Sequence, residues 1–303
     1  MIFTTKNAAE KRQQLRQLVT DGNLHQFPGA FSPFVARMVE EKGFPGVYIG
    51  GAMLTSDLGL PDIGLATLSE FADRGEQIAR ATDLPAIIDI DTGFGEPLAV
   101  RRTVRLLEDK GLAGCHIEDQ VMPKRCGHLD GKEVVSAEAM RRKITAATEA
   151  RKDDNFVVVA RSDSRAIEGL DASIERMKSY VDAGADMIFP EAMQSHAEFE
   201  AVRNAIDAPL FINMTEFGKS PLLSRDELTD LGMNVVIYPV TTWRLACGAI
   251  DDGLDHIKAE GDQRALLDRM QDRQTLYGYL QYDRHDAHDK QLYTLEANNE
   301  ETN

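Results

Sequence analysis

Eight times along the chain a short apolar run gives way to a polar loop and then to a stretch with helical spacing of apolar residues. The runs are HQFPGAF (25–31), GVYIGG (46–51), AIIDID (86–91), GCHIED (114–119), FVVVARSD (156–163), MIFPEA (187–192), LFINMT (210–215) and VVIYPV (235–240). Each is of strand length, and most are rich in β-branched or aromatic residues. Helical patterns lie between them at 67–83, 98–110, 137–150, 171–183, 196–206 and 225–231, and Gly111, Gly184 and Gly232 stand where helix C-caps are expected. Strands alternating with helices predict a parallel sheet with right-handed crossovers, and eight such units predict that sheet closed into a (β/α)8 TIM barrel. An open doubly wound sheet fits less well, because no glycine-rich phosphate loop follows the first strand.

A chain of 303 residues is long enough to bury its core without staples, so one barrel domain over 1–303 is expected, with a C-terminal helical extension at 241–283 and a frayed polar tail at 284–303. The second helix of the extension carries a Leu/Met/Tyr stripe that packs on the barrel or on a neighbouring subunit. Three cysteines, an odd number, argue against a disulfide framework, and Cys115 and Cys247 read as core residues. The start has no apolar signal core and no run reaches 18 apolar residues, so the expected location is the cytoplasm, with no membrane contact. A net charge of −16 argues against nucleic acid and anionic membranes. Lysine is scarce beside arginine and Asp outnumbers Glu, which fits adaptation to high salt or simple solubility.

Polar residues collect at the strand ends, where a barrel builds its active site. The third run ends in Asp89 and Asp91, the fourth in His116, Glu118 and Asp119, the fifth in Arg161 and Asp163, the sixth in Glu191, and the seventh in Asn213 and Thr215; the eighth leads towards Arg244. Asp89 and Asp91 are two apart on a strand, so both face one way and repel unless a cation lies between them. Hard oxygen ligands suit Mg²⁺ or Mn²⁺, with Glu118 completing the site directly or through water. In the loop Lys124-Arg125-Cys126-Gly127-His128, two cations and a histidine beside the thiol are expected to lower its pKa. His116 reads equally as a core histidine or as support for the site. Arg161, Arg244 and Arg273 are candidates for carboxylate recognition.

KRCGH at 124–128, following HIEDQ at 116–120, resembles the signature of the isocitrate lyase/phosphoenolpyruvate mutase superfamily, and most closely its methylisocitrate lyase branch. The resemblance runs through Tyr48, Leu60-Pro61-Asp62, DIDTGFG (89–95), Arg161/Asp163, FPEA (189–192), NMTEFG (213–218), Tyr238-Pro239 and Arg273. It implies metal ligation by Asp89 and Asp91 with Glu118 in or near the water shell, and a catalytic Cys126 assisted by Tyr48, Asp62, Arg161 and His128. It implies substrate contacts from Gly50, Gly51, Ala52, Cys126, Gly127, Arg161, Glu191, Asn213, Met214, Thr215, Arg244 and Arg273. Gly50 stands where relatives carry serine, so a hydroxyl for the keto-acid half is missing.

The activity implied is Mg²⁺-dependent cleavage of a small tricarboxylate, with pyruvate and succinate as products in propionate breakdown. Tyr48 would be the base and Cys126 the general acid, in a homotetramer with exchanged C-terminal helices. The alternatives are isocitrate cleavage, a dimethylmalate- or oxaloacetate-type lyase, and a barrel without activity, which intact Asp89, Asp91 and Cys126 argue against.

Overall fold

The structure, a computed structural model, describes residues 4–300. All eight apolar runs are or contain strands: β1 His25–Pro28, β2 Val47–Ile49, β3 Ala86–Asp89, β4 Gly114–Glu118, β5 Val157–Ser162, β6 Met187–Pro190, β7 Phe211–Asn213 and β8 Val235–Tyr238. They pair in parallel as a five-stranded sheet, β2-β3-β4-β5-β6, and a three-stranded sheet, β1-β8-β7. A parallel bridge joins the two at each seam, Gly29 to Tyr48 between β1 and β2 and Ile188 to Leu210 between β6 and β7. Strand order therefore runs from one to eight and back to one, the (β/α)8 arrangement.

The period of two along each strand separates two cores. One residue set points inward: Phe27, Tyr48, Ile87, Val157, Val159, Met187, Phe189, Phe211, Val235 and Ile237. Helix α1 (Ala8–Thr20) adds Leu15 and Val19 to this inner cluster. The alternate residues, among them Ile49, Ile88, Cys115, Ile117, Val158, Ala160, Ile188, Ile212 and Val236, join the cluster shared with the surrounding helices. Those helices include α2 (Pro33–Glu41), α3 (Gly51–Asp57), α4 (Leu68–Ala79), α5 (Pro97–Asp109), α6 (Ala137–Ala150), α7 (Arg165–Glu168), α8 (Leu170–Asp182), α9 (His196–Ala205) and α10 (Arg225–Asp230). Helix α4 starts on a capping box, Thr67 bonding the Glu70 N–H and Glu70 reaching back to the Thr67 backbone.

The chain divides into two compact units, Met1–Leu245 and Ala246–Asn303. Helix α11 (Thr241–Glu260) spans the boundary; the second unit also holds a 3-10 turn at Arg264–Arg269, α12 (Arg273–Leu280) and α13 (Tyr282–Glu300). The stretch expected to fray is thus helical to Glu300, with an i,i+4 pair of Asp286 and Lys290 on its surface, and 301–303 lie outside the described residues. Cys115 is buried as expected, but Cys247 is exposed: α11 has no buried residue, so its apolar face gives a cysteine no core to enter.

Candidate active site

Carried to the C-terminal ends of the strands, the inward-facing set turns polar. Tyr48, Asp89, His116, Glu118, Arg161, Glu191 and Asn213 continue the same parity as the apolar residues beneath them, and Glu118 lies in register with Arg161. An open cleft with a volume of about 100 Å³ lies over this tier. Its lining includes Tyr48, Gly50, Gly51, Ala52, Asp62, Asp89, Cys126, Gly127, His128, Arg161, Glu191, Asn213, Thr215 and Arg244, so most of the expected site residues converge.

Within the first unit, three do not line it. Asp91 and Glu118 are buried just behind the surface, at 3% and 2% exposure. Met214, expected to touch substrate, is packed in the outer core, where its sulfur accepts the Leu223 N–H at 3.2 Å. Its neighbours Asn213 and Thr215 face the cleft, and the period of two turns Met214 away. Arg273 opens α12 in the second unit.

The acidic end of the cleft is organised by proximity of carboxylates. The Asp89 side chain accepts N–H groups from Asp91 (2.9 Å) and Gly51 (3.1 Å). Burial would raise its carboxyl, but His116, Lys124 and Arg161 outweigh burial and hold it below its ordinary value. Burial, reinforced by Asp89, pushes Asp91 up to about 6. Burial pushes Glu118 well above the usual carboxylate range. Lys124 reaches between Asp62 and Asp91, its ammonium bonded to Asp62 and 2.8 Å from Asp91 Oδ1.

These residues fit a hard cation. Glu118 Oε1 is a buried oxygen without a hydrogen-bond donor, and Asp91 Oδ1 has only the Lys124 ammonium beside it. A Cβ on Gly51 would lie 2.9 Å from Asp89 Oδ2 and 3.3 Å from Asp91 Oδ1, so only glycine leaves that space open. Among the described residues no three His, Cys, Asp or Glu side chains form a ligand shell.

The opposite wall is cationic at its centre. Arg161 is buried, donating to Asp163 from Nε (2.9 Å) and Nη2 (3.2 Å), 3.3 Å from Glu118 and 3.5 Å from Glu191, with its guanidinium 5.1 Å from the Phe189 ring centroid. Burial pushes the Glu191 carboxyl up, but Arg161 and His128 override it and hold it well below the carboxylate range. His128 Nδ1 accepts the Lys219 N–H at 2.9 Å, which assigns the ring proton to Nε2, 2.6 Å from Glu191 Oε1. Thr215 and Arg244 complete this side, and Arg244 is tied to Glu216 at 3.0 Å and lies over Phe217.

Two expectations about titration change. The Cys126 thiol is raised, not lowered: it is half-buried, and burial outweighs both the His128 N–H and Arg161. The backbone of Arg125 is clasped by the Gln120 side chain through Arg125 N (2.9 Å) and Arg125 O (2.8 Å). Tyr48 is also raised well above its usual value, by burial and then by Asp89, so it is a hydrogen-bonding phenol and a poor base. Its hydroxyl shares a 2.8 Å hydrogen bond with Nε2 of His116, which burial lowers to about 4 and which packs against Phe189 and Phe211. His116 is thus both a core residue and a support for the site.

Sequence reasoning assigned no role to Lys132, Phe189 or Val240. Phe189 was accessible through parity, being two residues before Glu191. Lys132 was not, because its partners are 5 and 31 residues away.

The model of the phosphoenolpyruvate phosphomutase family matches residues 15–258. The chain is 55% identical over 289 residues to "Probable 2-methylisocitrate lyase 1" of Corynebacterium glutamicum, covering 95% of each chain. Among solved structures it is similar to oxaloacetate acetylhydrolase in complex with 3,3-difluorooxalacetate (TM-score 0.89, 32% identity, 95% of this chain and 98% of the other). It is also similar to 2,3-dimethylmalate lyase (TM-score 0.88, 32% identity, 95% and 96%).

Proposed function

The chain belongs to the phosphoenolpyruvate mutase/isocitrate lyase superfamily and is a carbon–carbon lyase, and from that premise we propose that it cleaves 2-methylisocitrate to pyruvate and succinate with a bound Mg²⁺. The observation that carries the reading is that the Cys126 thiol lines the same cleft as the Asp89 carboxylate and the buried Arg161, with burial pushing the thiol up. Cleavage of a β-hydroxy acid needs a cation-stabilised oxygen at one end and a proton donor at the other.

Asp89 and Asp91 would hold the ion, with Glu118 behind them bonding its waters. A divalent cation there supplies charge stabilisation to the C2 oxygen as it becomes a carbonyl. The C2 hydroxyl gives up its proton to a carboxylate at the acidic end of the cleft as the C–C bond breaks, and Tyr48 holds that oxygen as a hydrogen-bond donor from the His116 side rather than removing the proton itself. Arg161, backed by Asp163 and Glu191, binds a carboxylate of the succinate half, with Asn213, Thr215 and Arg244 beside it. Cys126 gives its proton to the succinate carbanion as the C–C bond breaks; burial keeps that proton on sulfur until it is needed.

The fragments differ from those of dimethylmalate cleavage in one carboxylate and from those of isocitrate cleavage in one methyl, so three substrates assayed together test the branch. With Mg²⁺ present, 2-oxoacid release from 2-methylisocitrate should exceed that from isocitrate and from dimethylmalate by tenfold or more in kcat/KM, a difference of about 1.4 kcal/mol, within what one methyl can supply. It should vanish on chelation. Dimethylmalate as the best substrate would overturn the branch and direct attention to Gly50. We further propose a cytoplasmic homotetramer with a role in propionate breakdown; the exposed Ile250, Leu254 and Ile257 along α11 support association between copies.

A further inference from the structure

Cys126 sits in a loop that leaves the barrel after β4 and returns before α6. The loop is closed at its base by a bridge between Gln120 and Val134 and by the Val121 N–H on Glu133 O (2.8 Å). Beyond that stem, the backbone on either side of Cys126 is held by a different side chain. Gln120 clasps Arg125 on one side. On the other, the Lys132 ammonium donates to the carbonyl of Gly127 and also lies 3.0 Å from Asp163 Oδ1. The Lys132 side chain is 2% exposed and Asp163 is 0% exposed.

We propose that Lys132 is a positioning residue for the reaction: it fixes the peptide that follows Cys126 against the Arg161–Asp163 pair, and so sets where the thiol stands relative to the bound carboxylate. The inference rests on the reading of Cys126 as proton donor given above. The simpler role, a counter-ion for a buried carboxylate, is already filled. Asp163 accepts two hydrogen bonds from Arg161. The ammonium directs a second N–H to a backbone carbonyl of the loop, where a mere counter-ion has no need of one.

The fit at Gly127 shows how little slack the arrangement has. A Cβ there would lie 2.5 Å from Arg161 Nη2, 2.5 Å from Glu191 Cγ and 2.8 Å from Asp163 Oδ1. The loop backbone therefore rests directly on the group that binds substrate. Lys132 is the charged clasp that draws it down, and no other side chain is bonded to the Gly127 carbonyl among the described residues. Loss of that bond lets the thiol drift while the metal end and Arg161 stay in place.

The test is Lys132→Ala, assayed with 2-methylisocitrate and Mg²⁺ with and without added propylammonium, which restores the deleted atoms. A misplacement of about 1 Å costs on the order of 10²-fold in rate. The expected result is a kcat reduced by about that factor with KM changed by less than about threefold, a melting midpoint near that of the wild type, and partial return of kcat with propylammonium. A second readout needs no substrate. Alkylation of Cys126 by iodoacetamide, followed by mass spectrometry so that exposed Cys247 is scored separately, should be faster in the variant, and propylammonium should slow it. Wild-type kcat together with wild-type alkylation overturns the proposal. So does an activity loss that follows the melting midpoint and that the amine leaves unchanged. If the wild type cleaves none of the acids yet the variant is alkylated faster, the clasp stands and the substrate reading fails.

Discussion

A cysteine can serve as nucleophile or as acid, and its surroundings choose between them. Around Cys126, burial comes first and raises the thiol, Glu191 adds to the rise, and the His128 N–H and Arg161 only offset part of it. Such a thiol holds its proton through neutral pH, which suits a donor and disables a thiolate nucleophile. The sign of the pH dependence follows. A general acid works while protonated, so a raised pKa carries activity further into alkali. The alkaline limb of kcat against pH should therefore lie above about 8.5, the ordinary cysteine value. Cys126→Ser should lower kcat by roughly 10²–10⁴-fold, the usual worth of a positioned acid. A limb well below 8.5, or a serine variant with full turnover, would show that the proton comes from elsewhere.

At the scale of elements, the period of two explains both what was legible and what was not. Residues two apart on eight parallel strands gave the barrel, the polar tier at its rim and the reason Asp89 and Arg161 meet, all readable from the apolar runs. The same period, had it been applied to 213–215, would have excluded Met214. Loops carry no such period. Their contacts, such as Lys132 on Gly127, Lys219 on His128 and Lys124 on Asp91, join residues whose separation in the chain says nothing of their distance in space. Burial too was invisible in the loop, and it reversed the sign expected for the Cys126 thiol.

Asp119 shows how strands and helices are stitched beneath the site. From the end of β4 it accepts the Asp163 N–H (2.8 Å), the Ser162 hydroxyl on β5 (2.8 Å) and the Tyr180 hydroxyl on α8 (2.7 Å). Burial, with Asp163 nearby, pushes its carboxyl up to about 6 in spite of those three donors. An unfolded aspartate titrates near 3.9, so the fold binds this proton more tightly than the unfolded chain does. The resulting stability is complete below about pH 4 and is lost as pH rises through about 6, to the extent of roughly 3 kcal/mol. Asparagine cannot titrate. The stability gap between wild type and Asp119→Asn, from urea unfolding, should therefore shrink by about that amount between pH 4 and 7. A gap independent of pH would mean that Asp119 is ionised in the fold throughout.

For the molecule as a whole, 50 acidic residues face 34 basic ones. The excess repels itself in the compact state, and salt relieves it. The screening length falls from about 30 Å at 0.01 M to about 8 Å at 0.15 M and about 3 Å at 1 M. Most of the relief is thus complete well before molar salt. The melting midpoint of the metal-free protein should rise between 0.01 and 0.15 M KCl, measured by calorimetry; chloride is the proper anion, since sulfate stabilises most folds by exclusion whatever their charge. Beyond about 1 M the two readings of the acidic composition separate. If acidity serves solubility, screening is exhausted and the midpoint levels off. If it is an adaptation to high salt, carboxylates must gain from the concentrated cations themselves, and the midpoint continues to climb to about 3 M, where screening has nothing left to give. The scarcity of lysine beside arginine favours the second course, because it leaves the carboxylates with fewer flexible ammonium partners to replace those cations.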